Sequence, residues 1–383
     1  MLKRFRPIQY LFVLFIATIF AGNVFAANVK QKIVVFAPGF SNPVQQAALL
    51  KNMGVIPVKP LRIINGFAVS LPDAAFEALQ SLDNQNILRI DDDIVLHGTA
   101  KPVDPLPQPP QELTWGIDRI EADLAWAETN GTMINVAVLD TGADLDHPDL
   151  TDNIKGNFSA INPHKSAVDD NGHGTHVSGI IAAANNTIGV IGAAPQINLY
   201  VVKVLGSDNT GNLSDILDGM QWCIDNHMQV VNMSFGATST VQSLADAVTA
   251  MHAAGIVQVA AAGNNGSSGG TMLYPARYPE TIAVSSVNIN GILAASSSYG
   301  PEVDLAAPGV SIYSTYLNAG YTTMSGTSMA TPHVTASAAL VLSVFPALTP
   351  DEVKTKLKSS AEDLGLPADE QGAGLVRPDL AIQ

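Results

Sequence analysis

Three polar residues stand where a chain could offer them to a substrate. Asp140 closes INVAVLD, an apolar run that reads as a buried strand. His173 sits in NGHGTHVSG between Gly172 and Gly174, which let the backbone approach a neighbour closely. An imidazole titrates near neutral pH and can serve as a general base. Ser328 lies in SGTSMATPHV, where a helix begins and Pro332 falls in the early turns that tolerate a missing N–H. A hydroxyl there lies near the positive end of the helix dipole, beside free N–H groups that suit a developing oxyanion.

Singly, each residue has a plainer explanation. Asp140 could be a turn or cap residue, and Ser328 an N-cap. His173 and His176 could be a zinc pair, but a zincin spaces its histidines four apart around a glutamate. Here they are three apart and no glutamate separates them. The nucleophile elbow of lipases needs glycine at 330, where this chain has Ala330. Cys223, within MQWCIDNHM, reads as a small buried hydrophobe rather than a second nucleophile.

The surrounding pattern gives these residues a scaffold. From about 112 to 383 apolar strands (INVAVLD, INLYVVKVL, MQVVNMS, IVQVAAA, TIAVSSV) alternate with helical stretches beginning at His176, Leu213, Val241, Ser328 and Pro350. That alternation predicts an α/β fold, a mostly parallel sheet covered by helices on both faces. In such sheets the site lies at the carboxyl ends of the strands, and Asp140, Ser234 and Asn264 all stand at or just past such ends. Residues 27–98 read strand–helix–strand–helix–strand, a small α+β unit with a turn at Asn65-Gly66 and a single closing run, ILRIDDDIVLHG. Residues 99–111 carry five prolines and read as an exposed linker.

Lys3, Arg4 and Arg6, the apolar run LFVLFIATIFAG and VFA-ANV describe a signal peptide over 1–26. A secreted protein, extracellular or periplasmic, is therefore expected, with no membrane span once the leader is cut. Net charge is +3 over residues 1–100 and −18 over the remainder. So acidic a surface repels phosphate backbones and argues against nucleic acid as a partner. With one cysteine the chain can form no internal disulfide.

Taken together, VAVLDTG at 136–142, HGTHVSG at 173–179, AAAGN at 260–264 and GTSMATPHV at 326–334 resemble the subtilisin-like serine proteases, with the triad in their order Asp, His, Ser. The resemblance spans 112–380 and implies a subtilisin-like serine endopeptidase. It assigns Ser328 as nucleophile, His173 as base and then acid, Asp140 as the carboxylate that holds the imidazole, and Asn264 as the oxyanion amide. Ser234, Phe235 and Gly236 would pair with a peptide substrate as an added strand. Gly236 and Gly263 would flank the first specificity pocket, and Leu273 falls where well-known bacterial relatives have glycine at its base. A leucine there predicts a short pocket preferring medium apolar side chains. The resemblance also implies a structural calcium ion, held by Gln111, Asp149, Asn186 and the carbonyl oxygens of Ala184, Ile188 and Val190, and no catalytic metal. Residues 27–98 resemble an inhibitory propeptide with a small ferredoxin-like fold, whose tail DDDIVLHGTA would enter the cleft before a cut within 97–111. Substrates would be proteins and peptides, and a monomer is expected. Two other readings compete: a pseudoenzyme that only binds peptides, and a dedicated processing enzyme, which would need an acidic pocket that the sequence lacks.

Overall fold

A computed structural model describes residues 29–72, 85–98 and 109–383. The signal peptide, most of the helix expected over 72–82 and the linker through 108 lie outside the described residues.

The N-terminal unit contains β1 (Val29–Phe36), helix α1 (Pro43–Asn52), β2 (Ile56–Leu61), β3 (Gly66–Pro72) and β4 (Ile87–Asp92), in the antiparallel order β2-β3-β1-β4. Asn65 takes the left-handed conformation that the turn before Gly66 requires. Strand alternation divides the side chains. Val34, Phe36, Phe67, Val69 and Leu71 join Leu50 in one core, whereas Ile33, Val35, Ile64 and Ala68 face the larger domain. The closing run does not form one strand. It breaks at Asp93–Ile94, and β5 (Val95–Gly98) leaves this sheet altogether. Both ends of that break are tied to the larger domain: Asp93 accepts from Ser214 N at 2.9 Å, and Ile94 O from Leu213 N at 2.9 Å.

The larger domain is built on β6 (Asn135–Asp140), β7 (Ile154–Ser159), β8 (Asn198–Lys203), β10 (Val230–Met233), β12 (Val257–Ala261), β13 (Thr281–Val287) and β14 (Leu305–Pro308). They form one sheet in the order β14-β13-β12-β10-β6-β8-β7, parallel throughout. Val136 and Val138 point into one core and Ala137 and Leu139 into the other, so β6 is buried on both faces. On the first face lie α2 (His173–Ala182) and α5 (Thr327–Val344); on the second, α3 (Leu213–Asp225) and α4 (Gln242–Ala253). Ala, Ser, Thr and Gly keep α2 and α5 slim, so both are buried almost all round. Helix α6 (Pro350–Ser359) opens with a Thr349/Glu352 capping box. Two short strands, β9 (Thr210–Asn212) and β11 (Phe235–Gly236), flank β5, and a hairpin of β15 (Ile312–Tyr316) and β16 (Gly320–Met324) packs against α2.

Helix α2 begins at His173, three residues earlier than the apolar pattern suggests. The cause is an acceptor upstream: Asp169 takes the N–H groups of Gly172 and Thr175 and caps the helix from outside its own first turn. Strands β7, β9 and β14–β16 were not foreseen, because they are short or carry few branched apolar residues.

Candidate active site

Asp140 ends β6 and is fully buried. Its Oδ1 accepts from His173 Nδ1 and from Thr141 N, each at 2.7 Å. His173 is the first residue of α2, whose start lies against the end of β6. The contact depends on Gly174, where a Cβ would fall 2.2 Å from Gly142 O and 3.0 Å from Asp140 Cβ. With Nδ1 bound to the carboxylate, His173 Nε2 makes no hydrogen bond among the described residues.

Ser328 is the second residue of α5 and is buried. Its hydroxyl donates to Ser234 O at 2.9 Å, and the hydroxyl of Ser234 donates back to Ser328 O at 3.0 Å. A buried chain backs this pair: Thr335 Oγ1 to Asn232 Oδ1, then Asn232 Nδ2 to Ser234 Oγ, both at 2.9 Å. Ser234 and Asp140 follow neighbouring strands, β10 and β6, whose mates lie about 4.8 Å apart. The two halves of the site thus meet at one sheet edge. The hydroxyl-to-imidazole link expected from the sequence is not made in this state. A serine hydroxyl has one proton to give, and here Ser234 O takes it.

Asn264 follows β12, the strand beyond β10. Its Oδ1 accepts from Thr327 N at 3.0 Å and Thr327 Oγ1 at 3.2 Å, and that same hydroxyl accepts from Gly263 N at 3.1 Å. With its oxygen held, the amide presents its N–H₂ end away from Thr327.

Strand β5 occupies the groove beside these groups. It pairs antiparallel with β11 (Phe235↔Gly98, Gly236↔His97) and on its other side with β9 (Val95↔Asn212, Leu96↔Gly211, His97↔Thr210). Residues 235–236 thus take up an extended segment of the same chain as an added strand. The opposite wall, 210–212, carries no sequence signal that reveals it.

Leu273 is buried between the two glycines named for the pocket. A Cβ on Gly236 would come within 2.7 Å of Leu273 Cβ, and one on Gly263 within 2.6 Å of Leu273 Cγ. The leucine fills the space between those walls.

The predicted calcium residues also converge. Gln111 Nε2 lies 2.9 Å from Ala184 O and 3.5 Å from Val190 O. Asp149 is fully buried, and its carboxylate accepts from Asn186 Nδ2, Val190 N and Tyr321 Oη. Asn186 Oδ1 accepts from Ile188 N. Among the described residues no basic side chain pairs with Asp149. A buried carboxylate met by three neutral donors and no basic side chain, next to the Asn186 amide, fits a hard cation that takes oxygen ligands. The amides of Gln111 and Asn186 need only a half turn to offer oxygen.

Three further buried titratable groups, His176, His333 and Cys223, are chemically quiet. His176 Nε2 meets Ile312 O and Thr322 O at 3.0 and 3.2 Å, and burial lowers its pKa to about 3. Burial lowers His333 to about 4 and pushes the Cys223 thiol up. All three are held in neutral form.

The profile of the subtilase family matches residues 131–375. The chain belongs to the subtilase family. Subtilisin DY of Bacillus licheniformis is 44% identical over 276 residues, 71% of this chain and the whole of that relative. A thermostable alkaline protease of Halalkalibacterium halodurans is 46% identical over 274 residues, 71% of this chain and 74% of the relative. Subtilisin NAT of Bacillus subtilis subsp. natto is 39% identical over 370 residues, 93% of this chain and 92% of the relative, so that likeness extends into the N-terminal unit. This subtilase is a serine endopeptidase. Among its described residues no helix is long and apolar enough to cross a membrane.

Proposed function

We propose that this subtilase hydrolyses peptide bonds through an acyl-enzyme on Ser328, with His173 as base, Asp140 as its orienting carboxylate and Asn264 as an oxyanion donor. One observation carries the assignment. The His173 imidazole is fixed at Nδ1 by a buried carboxylate and keeps Nε2 unbonded, at the sheet edge where Ser328 is anchored. When a peptide carbonyl arrives, Ser328 Oγ turns from Ser234 O and gives its proton to Nε2. Asp140 stabilises the imidazolium, which then protonates the leaving amine. The Asn264 amide and the Ser328 N–H receive the charge on the carbonyl oxygen.

Residues 27–98 act as the enzyme's own inhibitory propeptide, 99–111 as the linker cut in maturation, and 112–383 as the peptidase domain. Support comes from β5, which fills the groove as a substrate strand would. Further support is the pairing of propeptide cations with acids on α3 and α4: Lys59 with Asp215, Arg62 with Asp225, Arg89 with Asp246. Gln111, Asp149, Asn186 and the carbonyls of Ala184, Ile188 and Val190 hold a structural calcium ion, which cross-links the residues ahead of the domain to the 184–190 loop. The basic start and apolar run of residues 1–26 support secretion. The mature enzyme acts as a monomer on protein and peptide substrates.

A fluorophosphonate probe tests the assignment. It should label wild type at Ser328, and Ser328→Ala should accumulate as uncut, unlabelled precursor. Labelling at another residue, or normal self-processing of purified Ser328→Ala, would overturn it.

A further inference from the structure

We propose that Asp169 is a positioning residue for the Asp140–His173 pair, acting through Thr141. The proposal rests on the triad reading above and extends it to a carboxylate with no assigned part in the reaction.

Asp169 is almost fully buried, at 6% exposure, and no basic side chain pairs with it among the described residues. Its charge is instead met by five hydrogen bonds. Oδ1 accepts from Thr141 Oγ1 at 2.8 Å and from the N–H groups of Asn171 and Gly172, both at 2.9 Å. Oδ2 accepts from Thr175 N at 2.9 Å and Thr175 Oγ1 at 2.6 Å. Burying a carboxylate is costly unless its acceptor sites are filled. Here the donors come from the two elements that must stay aligned, the exit of β6 and the entrance of α2. The backbone reinforces the clamp, since Asp169 N donates to Ala143 O and Ala143 N to Ala167 O.

Thr141 joins the two sides. Its N–H donates to Asp140 Oδ1, the oxygen that also receives His173 Nδ1. Its hydroxyl gives its only proton to Asp169, which leaves a lone pair for Gly174 N at 2.9 Å, the residue after His173. Asp169 therefore fixes the rotation of the Thr141 hydroxyl, and that hydroxyl fixes the start of α2 against the Asp140 carboxylate. Without the Asp169 acceptor the hydroxyl can swing away and the Gly174 N–H loses its partner. The imidazole can then shift relative to Oδ1 while the fold persists. Imidazolium formation depends on that alignment, whereas peptide binding along 234–236 does not.

The test expresses the full chain and assays the enzyme that self-processing leaves. Asp169→Asn keeps the shape but turns an amide N–H₂ toward donors, and Thr141→Val removes the intermediate hydroxyl. Each should lower kcat by about tenfold to a hundredfold with KM nearly unchanged. Each should also displace the acid limb of the kcat/KM profile, which reports His173, and shift the low-field proton resonance of the His173–Asp140 bond. The double variant should lose little more than either single one, because both break one path. Thr141→Ser, which keeps the hydroxyl, should restore the limb and the resonance. The proposal is overturned if the acid limb and the resonance stay in place while activity falls only in step with melting temperature, or if the two losses multiply. If wild type itself fails to label at Ser328, the triad reading falls; if it labels normally and the Asp169 variant titrates as wild type, this inference alone falls.

Discussion

Thr327 holds Asn264 by its oxygen: both the N–H and the hydroxyl of Thr327 donate to Asn264 Oδ1, at 3.0 and 3.2 Å. Thr327 immediately precedes Ser328, so one residue links the proposed oxyanion amide to the start of the helix that carries the proposed nucleophile. Asn264→Ala should lower kcat by about 10²–10³ with little change in KM, the scale seen when one oxyanion donor is removed from a subtilisin. Thr327→Val keeps one of the two donors and should lose less, in the same direction, while Thr327→Ser should be near wild type. Steady-state kinetics on one peptide substrate measure all three; a loss confined to KM would argue against an oxyanion role.

Leu273 separates Gly236 from Gly263, and on the proposed assignment it would set the depth of the first specificity pocket. Leu273→Gly should open that space and move preference toward Phe and Tyr before the cut, whereas wild type should prefer medium apolar side chains. A peptide-library profile distinguishes them. An unchanged profile would place the pocket elsewhere.

Calcium dependence should already be present before processing. In the uncut chain Pro109 O and Glu112 N bond to Gly189, and Gln111 reaches Ala184 O, while β5 still lies in the groove. Both contacts are present in the same uncut chain. Uncut Ser328→Ala should melt about 5–10 °C higher with calcium at roughly a hundred times its Kd than with chelator. Asp149→Asn should abolish the difference. No shift in any form would remove the calcium assignment; a shift only after cleavage would show that the site forms late.

Buried histidines set the acid limit of stability, His147 among them because burial lowers its pKa too. His176 and His333 have folded pKa values near 3 and 4, lowered chiefly by burial from 6.5. Between those values and 6.5 the unfolded chain binds more protons, so stability is full above pH 6.5 and falls as the pH drops. Each histidine contributes a slope of about 1.4 kcal/mol per pH unit. Urea midpoints of Ser328→Ala, which cannot digest itself, should fall steadily from pH 6.5 toward 4. A flat profile there would mean that these rings protonate without unfolding.

Much of this was legible in the chain. A strand buried on both faces reads as a continuous apolar run, so INVAVLD announced both β6 and the carboxylate at its end. Small residues after His173 and Ser328 announced helices that pack closely. Gly236, Gly263 and Leu273 were named as pocket residues by the family resemblance and not by local chemistry, and the structure places the three side by side. Local chemistry did not reveal the helix start at His173, since its cap, Asp169, reaches in from outside the first turn. Nor did it reveal the break at 93–94, where two backbone and side-chain bonds to Leu213 and Ser214 outweigh the pairing that a continuous strand would have made.

By itself, then, the sequence determined residue types, strand ends and helix faces, because burial imposes a short-range period on the chain. Only the tertiary structure decided which oxygen meets which hydrogen. It set Thr327 on Asn264, Ser234 on Ser328 and Thr141 between Asp140 and Asp169, because hydrogen bonds between groups 28 to 94 residues apart depend on how strands and helices dock, and no local period encodes that.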